Sequence, residues 1–405
     1  MEDIVIIGAG HAAGQAIASL RADGFAGAIR LVGEEPYVPY QRPPLSKKFL
    51  SGELDLARVL FKPEAFYEQA DVDMRLGTRA VAVDRVAHTV TLEGGAVLPY
   101  ARLILATGSR VRRLSLPGSD LGGIHYLRTI EDVDGIRAEL KPGARMVVVG
   151  GGYIGLEVAA VAVKLGLSVT VLEAAERVLA RVTAPAISAF YERVHAEEGV
   201  RILTGTGVTG FAGEGRVREV LLPGGEAISA DVVVVGVGIL PNVELAAEAG
   251  LAVEDGIVVD ALCATSDPDI YAIGDCTRHP NGIYGRTLRL ESVHNALEQA
   301  KTASASICGK PKPYDQVPWF WSDQYDLKLQ IAGLSQGHDR VVVRGNPEIG
   351  RSFAVFYLKD GILVAVDAVN RPMEFLAAKQ LIAGHARIAP DRLADESINM
   401  KQIAG

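Results

Sequence analysis

The sequence predicts an α/β protein, with two doubly wound parallel-sheet domains followed by a smaller C-terminal α+β domain. Three observations predict it. Residues 4–14, Ile-Val-Ile-Ile-Gly-Ala-Gly-His-Ala-Ala-Gly, run from an apolar strand through glycines into a small-residue helix. Met146 to Gly155, Met-Val-Val-Val-Gly-Gly-Gly-Tyr-Ile-Gly, repeats that pattern. After Pro318 the chain changes to alternating segments of the kind that build an antiparallel sheet.

In the first unit, Ile4 to Ile7 reads as a buried parallel strand and Ala12 to Leu20 as the helix. Gly8 permits a tight strand-to-helix turn. Gly10 has no Cβ, so the backbone there can approach a pyrophosphate, whose charge the helix N-terminus would hold. Ala13 takes the third position of the fingerprint, with Ala12 at the turn and Gly14 behind. Glu34 follows the next apolar strand, Ile29 to Val32, roughly 20 residues on, where a ribose-binding acid is expected. Glu35 is the alternative ribose ligand. An ordinary strand–helix turn would use the same glycines for packing alone.

The second unit is the more complete. Gly150, Gly152 and Gly155 make a full G-x-G-x-x-G, with Tyr153 and Ile154 between. A helix runs on to about Leu165, and the strand Ser168 to Leu172 ends at Glu173. One such fingerprint is weak evidence. Two, each followed by an acid at a strand end, predict two dinucleotide sites.

Two further strands read as crossings between domains: Leu103 to Gly108, ending Ala106-Thr107-Gly108, and Val232 to Asn242, with Gly236 and Gly238. They divide the chain into residues 1–111 and 240–318 as one discontinuous domain, 112–239 as an inserted domain, and 319–405 as the third. The first domain also contains Ile270 to Asp275, another strand ending in a glycine and an acid. In the third, Leu327 to Leu334, Arg340 to Arg344, Phe353 to Leu358 and Ile362 to Val369 read as strands, and Met373 to Ala383 as a short helix.

Composition narrows the function. The chain has 405 residues, 49% of them hydrophobic, enough for two or three cores. A formal charge of −8 argues against a general nucleic-acid binder. Cys263, Cys276 and Cys308 lie far apart, which disfavours disulfide scaffolding, zinc and dithiol chemistry. The eight histidines show no metal spacing, and no metal is expected. His11 and His294 read as packing or hydrogen-bonding residues. The start of the chain shows no signal peptide, and its apolar runs are too short to span a bilayer, so a cytoplasmic protein is expected.

The order Gly8-x-Gly10, Arg42-Pro43-Pro44-Leu45-Ser46-Lys47, Ala106-Thr107-Gly108, Gly150-x-Gly152-x-x-Gly155-Leu156-Glu157, Gly274-Asp275 and Trp319-Phe320-Trp321-Ser322-Asp323-Gln324 resembles the FAD-dependent ferredoxin reductases that serve bacterial haem monooxygenases and ring-hydroxylating dioxygenases. The resemblance extends to Arg181-Val182-Thr183-Ala184-Pro185 and Val369-Asn370-Arg371-Pro372. It implies a glutathione-reductase-like fold with FAD on the first unit and NADH on the second. It also implies hydride transfer from NADH to FAD, then single electrons to a [2Fe–2S] ferredoxin.

By this resemblance, Glu34 binds the adenosine ribose of FAD and Asp275 its ribityl chain. The helix starting near Ser292 and Val293 faces the pyrimidine end of the flavin, and Arg42, Ala80 and Arg128 supply further FAD contacts. Pro43 and Pro44 are expected to start a helix with Lys47 in its first turn, beside the flavin. No cysteine replaces it there, so electrons cannot leave by a dithiol. Glu157 is implied to face the nicotinamide and to pair with Lys47, and these two are the candidate catalytic residues. Glu173 repels a 2′-phosphate, and Ala174, Ala175 and Glu176 add no positive charge, so NADH is expected over NADPH. Arg177 lies one turn further on.

Trp321 is expected between flavin and surface, and the ferredoxin near Trp321, Lys301, Lys379 and Lys401. No nucleic-acid or membrane partner is expected, and the chain is expected as a monomer or weak dimer. Two rival readings stay open. One is a rubredoxin or small-molecule reductase of the same fold. The other is a flavin-based redox sensor or scaffold.

Overall fold

The two glycine fingerprints sit at the same place in two parallel sheets of similar build. In this computed structural model, which describes residues 3–404, the chain packs into two compact units. One comprises the chain up to Gln41 together with Leu56–Arg110 and Leu240–Pro318; the other comprises Arg42–Asp55, Val111–Ile239 and the chain from Trp319 onward. Residues 1–2 and 405, the outer ends of the expected first and third domains, lie outside the described residues.

The first unit is built on a five-stranded sheet in the order Ile270–Ala272, Arg102–Leu105, Ile4–Ile7, Ile29–Gly33, Val72–Leu76. Every pair is parallel. Ile4, Val5 and Ile6 are fully buried, as a central strand covered on both faces requires. The helices His11–Ala22 and Val293–Ile307 pack together, their small residues Ala13, Ala16, Ala300 and Ala303 sharing one apolar core. A three-stranded antiparallel sheet, Ala80–Asp84, Thr89–Leu92 and Val97–Pro99, completes this unit's main sheets.

The second unit repeats the parallel plan with Arg201–Leu203, Ser168–Leu172, Arg145–Val149, Val232–Val235 and Ile124–Tyr126. The valines of Val232–Val235 are all buried. Its C-terminal part is a five-stranded antiparallel sheet in the order Trp319–Gln324, Leu327–Gly333, Ile362–Val369, Phe353–Lys359, Arg340–Arg344. The helix Pro372–Ala383 packs on this sheet. Among the described residues no helix is long and apolar enough to cross a membrane.

Two elements depart from expectation. The stretch Val232 to Asn242 is not one strand but two, Val232–Val235 and Ile239–Pro241, parted at Gly236 and Gly238. The helix anticipated after Pro43-Pro44 is a single 3-10 turn, Pro43–Ser46, and Lys47 stands just beyond it. Two consecutive prolines supply no N–H, so the turn is closed by the N–H groups that follow them, among them those of Leu45, Lys47 and Phe49. These bond to the carbonyls of Arg42 and Pro44 and close the turn tightly.

Candidate active site: two nucleotide cradles and a buried ion pair

In the first unit, Gly8 has φ +105°, and a Cβ there would stand 2.1 Å from the Ala106 carbonyl oxygen. Only glycine fits both demands. Gly10 is the N-cap of the helix His11–Ala22, and no side chain caps it among the described residues. The space a Cβ would fill at Gly10 is open to 4 Å among those residues. Uncapped helix N–H groups facing open space are what a pyrophosphate needs, so the cradle fits a dinucleotide.

Several of the other expected residues follow the C-terminal ends of strands in the same parallel sheet. Ala12 lies against Gly274, where a Cβ would meet the Ala12 Cβ at 3.4 Å, so the first helix adjoins the Gly274-Asp275 loop. The Ser109 hydroxyl donates to Asp275 Oδ2 at 3.0 Å. Thr107 Oγ1 donates to the Asn242 carbonyl at 2.7 Å, and Asn242 Nδ2 returns a bond to the Thr107 carbonyl at 2.9 Å. Ala106 and Thr107 are thereby held in place, and Gly108 turns at φ +61°. Ser292 caps the helix Val293–Ile307 by accepting from the Asn295 N–H at 3.1 Å. Buried Gln299 accepts from the Gly274 N–H at 2.7 Å. Ala80 opens the strand Ala80–Asp84. Glu34 is exposed at the end of its strand, whereas Glu35 is half-buried and accepts from the Tyr40 hydroxyl at 2.6 Å.

The second cradle follows the same rules. A Cβ at Gly150, with φ +110°, would stand 2.4 Å from the Gly236 carbonyl oxygen, and one at Gly155 would stand 2.1 Å from that of Gly150. Gly152 caps the helix Tyr153–Lys164 without a side-chain bond and faces open space among the described residues. Gly238 turns at φ +107°. Ile154, beside this opening, is 43% exposed, large for an aliphatic side chain in the first turn of a core helix. Glu173 is tied on both oxygens: Oε2 accepts from the Gly151 N–H at 2.7 Å and Oε1 from the Ala175 N–H at 2.8 Å.

The structure brings Lys47 and Glu157 together, with Lys47 Nζ 2.7 Å from Glu157 Oε2. Glu157 is 2% exposed. Burial pushes its carboxyl up from the ordinary range, while Lys47 and the hydroxyls of Ser322 and Ser46 pull it back. Ser322 Oγ donates to Oε1 at 2.6 Å, and Ser46 Oγ donates to Oε2. Arg42 and Arg128, far apart in sequence, also meet, Arg42 Nη1 donating to the Arg128 carbonyl at 2.5 Å.

In the aromatic cluster the rings two residues apart on the strand, Trp319 and Trp321, meet at a tilt of 34° with centres 5.5 Å apart, while Phe320 lies against Tyr153 at 4.9 Å. Lys379 Nζ lies 5.4 Å from the centre of the Trp319 ring. The helix carrying Lys401 packs on the helix carrying Lys379. Lys301 belongs to the other unit, where it pairs with Glu298 at 2.6 Å. Ser46, Ser322 and the residues behind them were not singled out from sequence. A signal was present: Ser322 and Gln324 are polar at alternate, inward-facing positions of a strand.

Cys263 and Cys276 are fully buried free thiols. Two dinucleotide cradles, each heading a parallel sheet, define a two-nucleotide oxidoreductase. The chain belongs to the pyridine nucleotide-disulphide oxidoreductase family, which matches residues 2–300, and residues 319–404 match the reductase C-terminal family. It is 45% identical to putidaredoxin reductase CamA of Pseudomonas putida, over 99% of this chain and 96% of that protein. It is 43% identical to a rubredoxin-NAD(+) reductase of the same species, over 91% of this chain and 96% of that one. The fold matches the crystal structure of a covalent putidaredoxin reductase–putidaredoxin complex with a TM-score of 0.97 and 45% identity, covering 99% of this chain and 98% of that one. Family and relatives imply FAD and NAD(H) as cofactors, in agreement with the two open cradles.

Proposed function

We propose that this protein is an NADH-dependent ferredoxin reductase. Residues 1–111 and 240–318 would carry FAD, residues 112–239 NADH, and residues 319–405 the acceptor side. One observation carries the reading: both cradles are complete, yet the two most buried cysteines, Cys263 and Cys276, are free thiols whose pKa values are pushed up by burial. A dithiol exit for the electrons therefore has no support, and the likeness to a putidaredoxin reductase solved in covalent complex with putidaredoxin favours an external carrier protein. When bound, NADH would supply a hydride that FAD can accept as two electrons and pass on singly to a [2Fe–2S] protein.

The residues have separable tasks in this reading. Uncapped N–H groups beyond Gly10 and Gly152 bind the pyrophosphates. Glu34 and Asp275 orient FAD, with Arg42, Ala80, Arg128, Ser292 and Val293 as further contacts. Glu173 accepts hydrogen bonds from the adenosine ribose of NADH, and its fixed charge disfavours a 2′-phosphate. Lys47 and Glu157 set the charge beside the nicotinamide, and Ile154 offers it an apolar edge.

The partner surface is proposed around Lys379 and Lys401. Exposed Met373 and Leu376 line the same helix as Lys379, an apolar and basic face beside Trp319 that suits an acidic ferredoxin. Trp321, whose ring meets that of Trp319 at 5.5 Å, is the proposed electron path, and Lys301 a further docking cation. An NADH donor and a soluble carrier fit a cytoplasmic site of action.

The likeness to a rubredoxin reductase favours one rival acceptor. Steady-state turnover with a [2Fe–2S] ferredoxin and with a rubredoxin separates the two. At least tenfold higher kcat/KM with ferredoxin is expected, and the reverse order would replace this reading with rubredoxin reduction.

A further inference from the structure

Glu157 is not held by Lys47 alone. A file of buried polar groups runs from its second oxygen through the protein. Ser322 Oγ lies 2.6 Å from Glu157 Oε1, Gln324 Nε2 lies 3.1 Å from Ser322 Oγ, and Gln324 Oε1 lies 2.8 Å from His195 Nε2. The other ring nitrogen, His195 Nδ1, lies 2.9 Å from the Tyr325 hydroxyl. Ser322 and His195 are fully buried and Gln324 nearly so.

The direction of every bond follows from one charge. An ionised Glu157 can accept and not donate, so Ser322 donates to it. The Ser322 oxygen then accepts from the amide N–H of Gln324, which turns the Gln324 carbonyl toward His195. That carbonyl accepts too, so His195 carries its proton on Nε2, and its bare Nδ1 accepts from Tyr325. Each donor points toward Glu157. Burial keeps His195 neutral, its pKa pushed below the ordinary value, as a single-proton tautomer requires.

Two features show that the far end is held under constraint. Tyr325 sits in the hairpin turn between the strands Trp319–Gln324 and Leu327–Gly333 with φ +56°, a left-handed conformation disfavoured for a bulky residue. Lys164 Nζ lies 5.5 Å from the centre of the Tyr325 ring. Lys164 and Glu157 are on the same helix, Tyr153–Lys164, two turns apart. One helix therefore engages both ends of the file.

We propose that Ser322, Gln324, His195 and Tyr325 form a directional hydrogen-bond chain that keeps Glu157 ionised and aligned on Lys47, with His195 as its key positioning residue for hydride transfer. His195 matters because it settles which way the Gln324 amide faces. Without a donor at Nε2, the amide can flip and present its carbonyl to Ser322. The Ser322 proton then has two acceptors, and Glu157 loses a hydrogen bond. The proposal rests on the reading that Glu157 lies beside the nicotinamide.

Three FAD-loaded variants test it, His195→Phe, His195→Gln and Glu157→Gln, with anaerobic stopped-flow reduction by NADH and 15N-histidine NMR. The spectrum of the wild-type protein should show His195 neutral with its proton on Nε2; a proton on Nδ1 would overturn the directional chain. His195→Phe should lower the limiting rate of flavin reduction about tenfold, with the Kd for NADH within twofold. His195→Gln, which keeps an N–H donor for Gln324, should recover most of the rate. If Glu157→Gln slows reduction and His195→Phe does not, the chain is refuted and the reading of the site survives. If neither slows it, both fail. Should His195→Phe not fold, Tyr325→Phe takes its place, with a threefold or larger loss of rate expected and an unchanged rate counting against the chain.

Discussion

The two nucleotide cradles solve one packing problem with opposite choices. Behind the first glycine turn, Ala9 faces Gly33, and a Cβ on Gly33 would meet the Ala9 Cβ at 2.7 Å. Behind the second, Gly151 faces Glu173, and a Cβ on Gly151 would meet the Glu173 Cβ at 3.1 Å. Each pair has room for one side chain. The first cradle spends it in the loop and leaves its acid, Glu34, one residue further on and exposed. The second spends it on the strand end, and so gains an acid tied to two backbone N–H groups. The same fingerprint thus leaves an exposed acid at the strand end in one unit and an acid fixed by two backbone N–H groups in the other. If Glu173 meets the ribose of the nicotinamide nucleotide, as proposed, a carboxylate fixed in this way cannot swing away from a 2′-phosphate.

The largest effect expected belongs to what the cradles share. Gly8→Ala forces a Cβ to 2.1 Å from a backbone oxygen at a left-handed φ. A loss of about 4 kcal/mol or more is expected, with FAD no longer retained, as thermal unfolding and flavin absorbance would report. Gly155→Ala separates the two cradles next, because the equivalent first-unit position already carries Ala13. Its Cβ would stand 2.1 Å from the Gly150 oxygen. NADH binding should weaken roughly 100-fold, about 3 kcal/mol, while FAD stays bound.

Glu173→Ala sharpens the contrast between the acids. The preference for NADH over NADPH should fall roughly 30-fold, about 2 kcal/mol, in kcat/KM measured with each nucleotide. The smallest effect tests the exchange of side chains itself. Gly33→Ala should cost about 1–3 kcal/mol in chemical denaturation, and adding Ala9→Gly should recover most of it.

Much of this was legible in the sequence, and for physical reasons. Gly8 and Gly150 must take φ values and approaches that other residues cannot, so their spacing exposes the turns. The runs Ile4–Ile7, Met146–Val149 and Val232–Val235 are apolar because strands in these sheets are covered on both faces. The antiparallel sheet announced itself by alternation. Less visible was the Pro43–Ser46 turn, where two prolines mimic a helix start but the bonds close after one turn. Least visible were the groups that satisfy Glu157. Ser322 is 165 residues away and Ser46 111 residues away, and neither local period nor motif links such partners. A buried carboxylate must find donors, but the sequence alone does not say from which element they come.

The most direct test of the account is anaerobic stopped-flow reduction of the FAD-loaded protein by NADH and by NADPH at equal concentrations, followed by mixing with a [2Fe–2S] ferredoxin. The account predicts rapid bleaching with NADH, at least tenfold slower bleaching with NADPH, and prompt ferredoxin reduction afterwards. Equal or faster bleaching with NADPH would contradict the role given to Glu173, and bleaching without ferredoxin reduction would contradict the proposed activity.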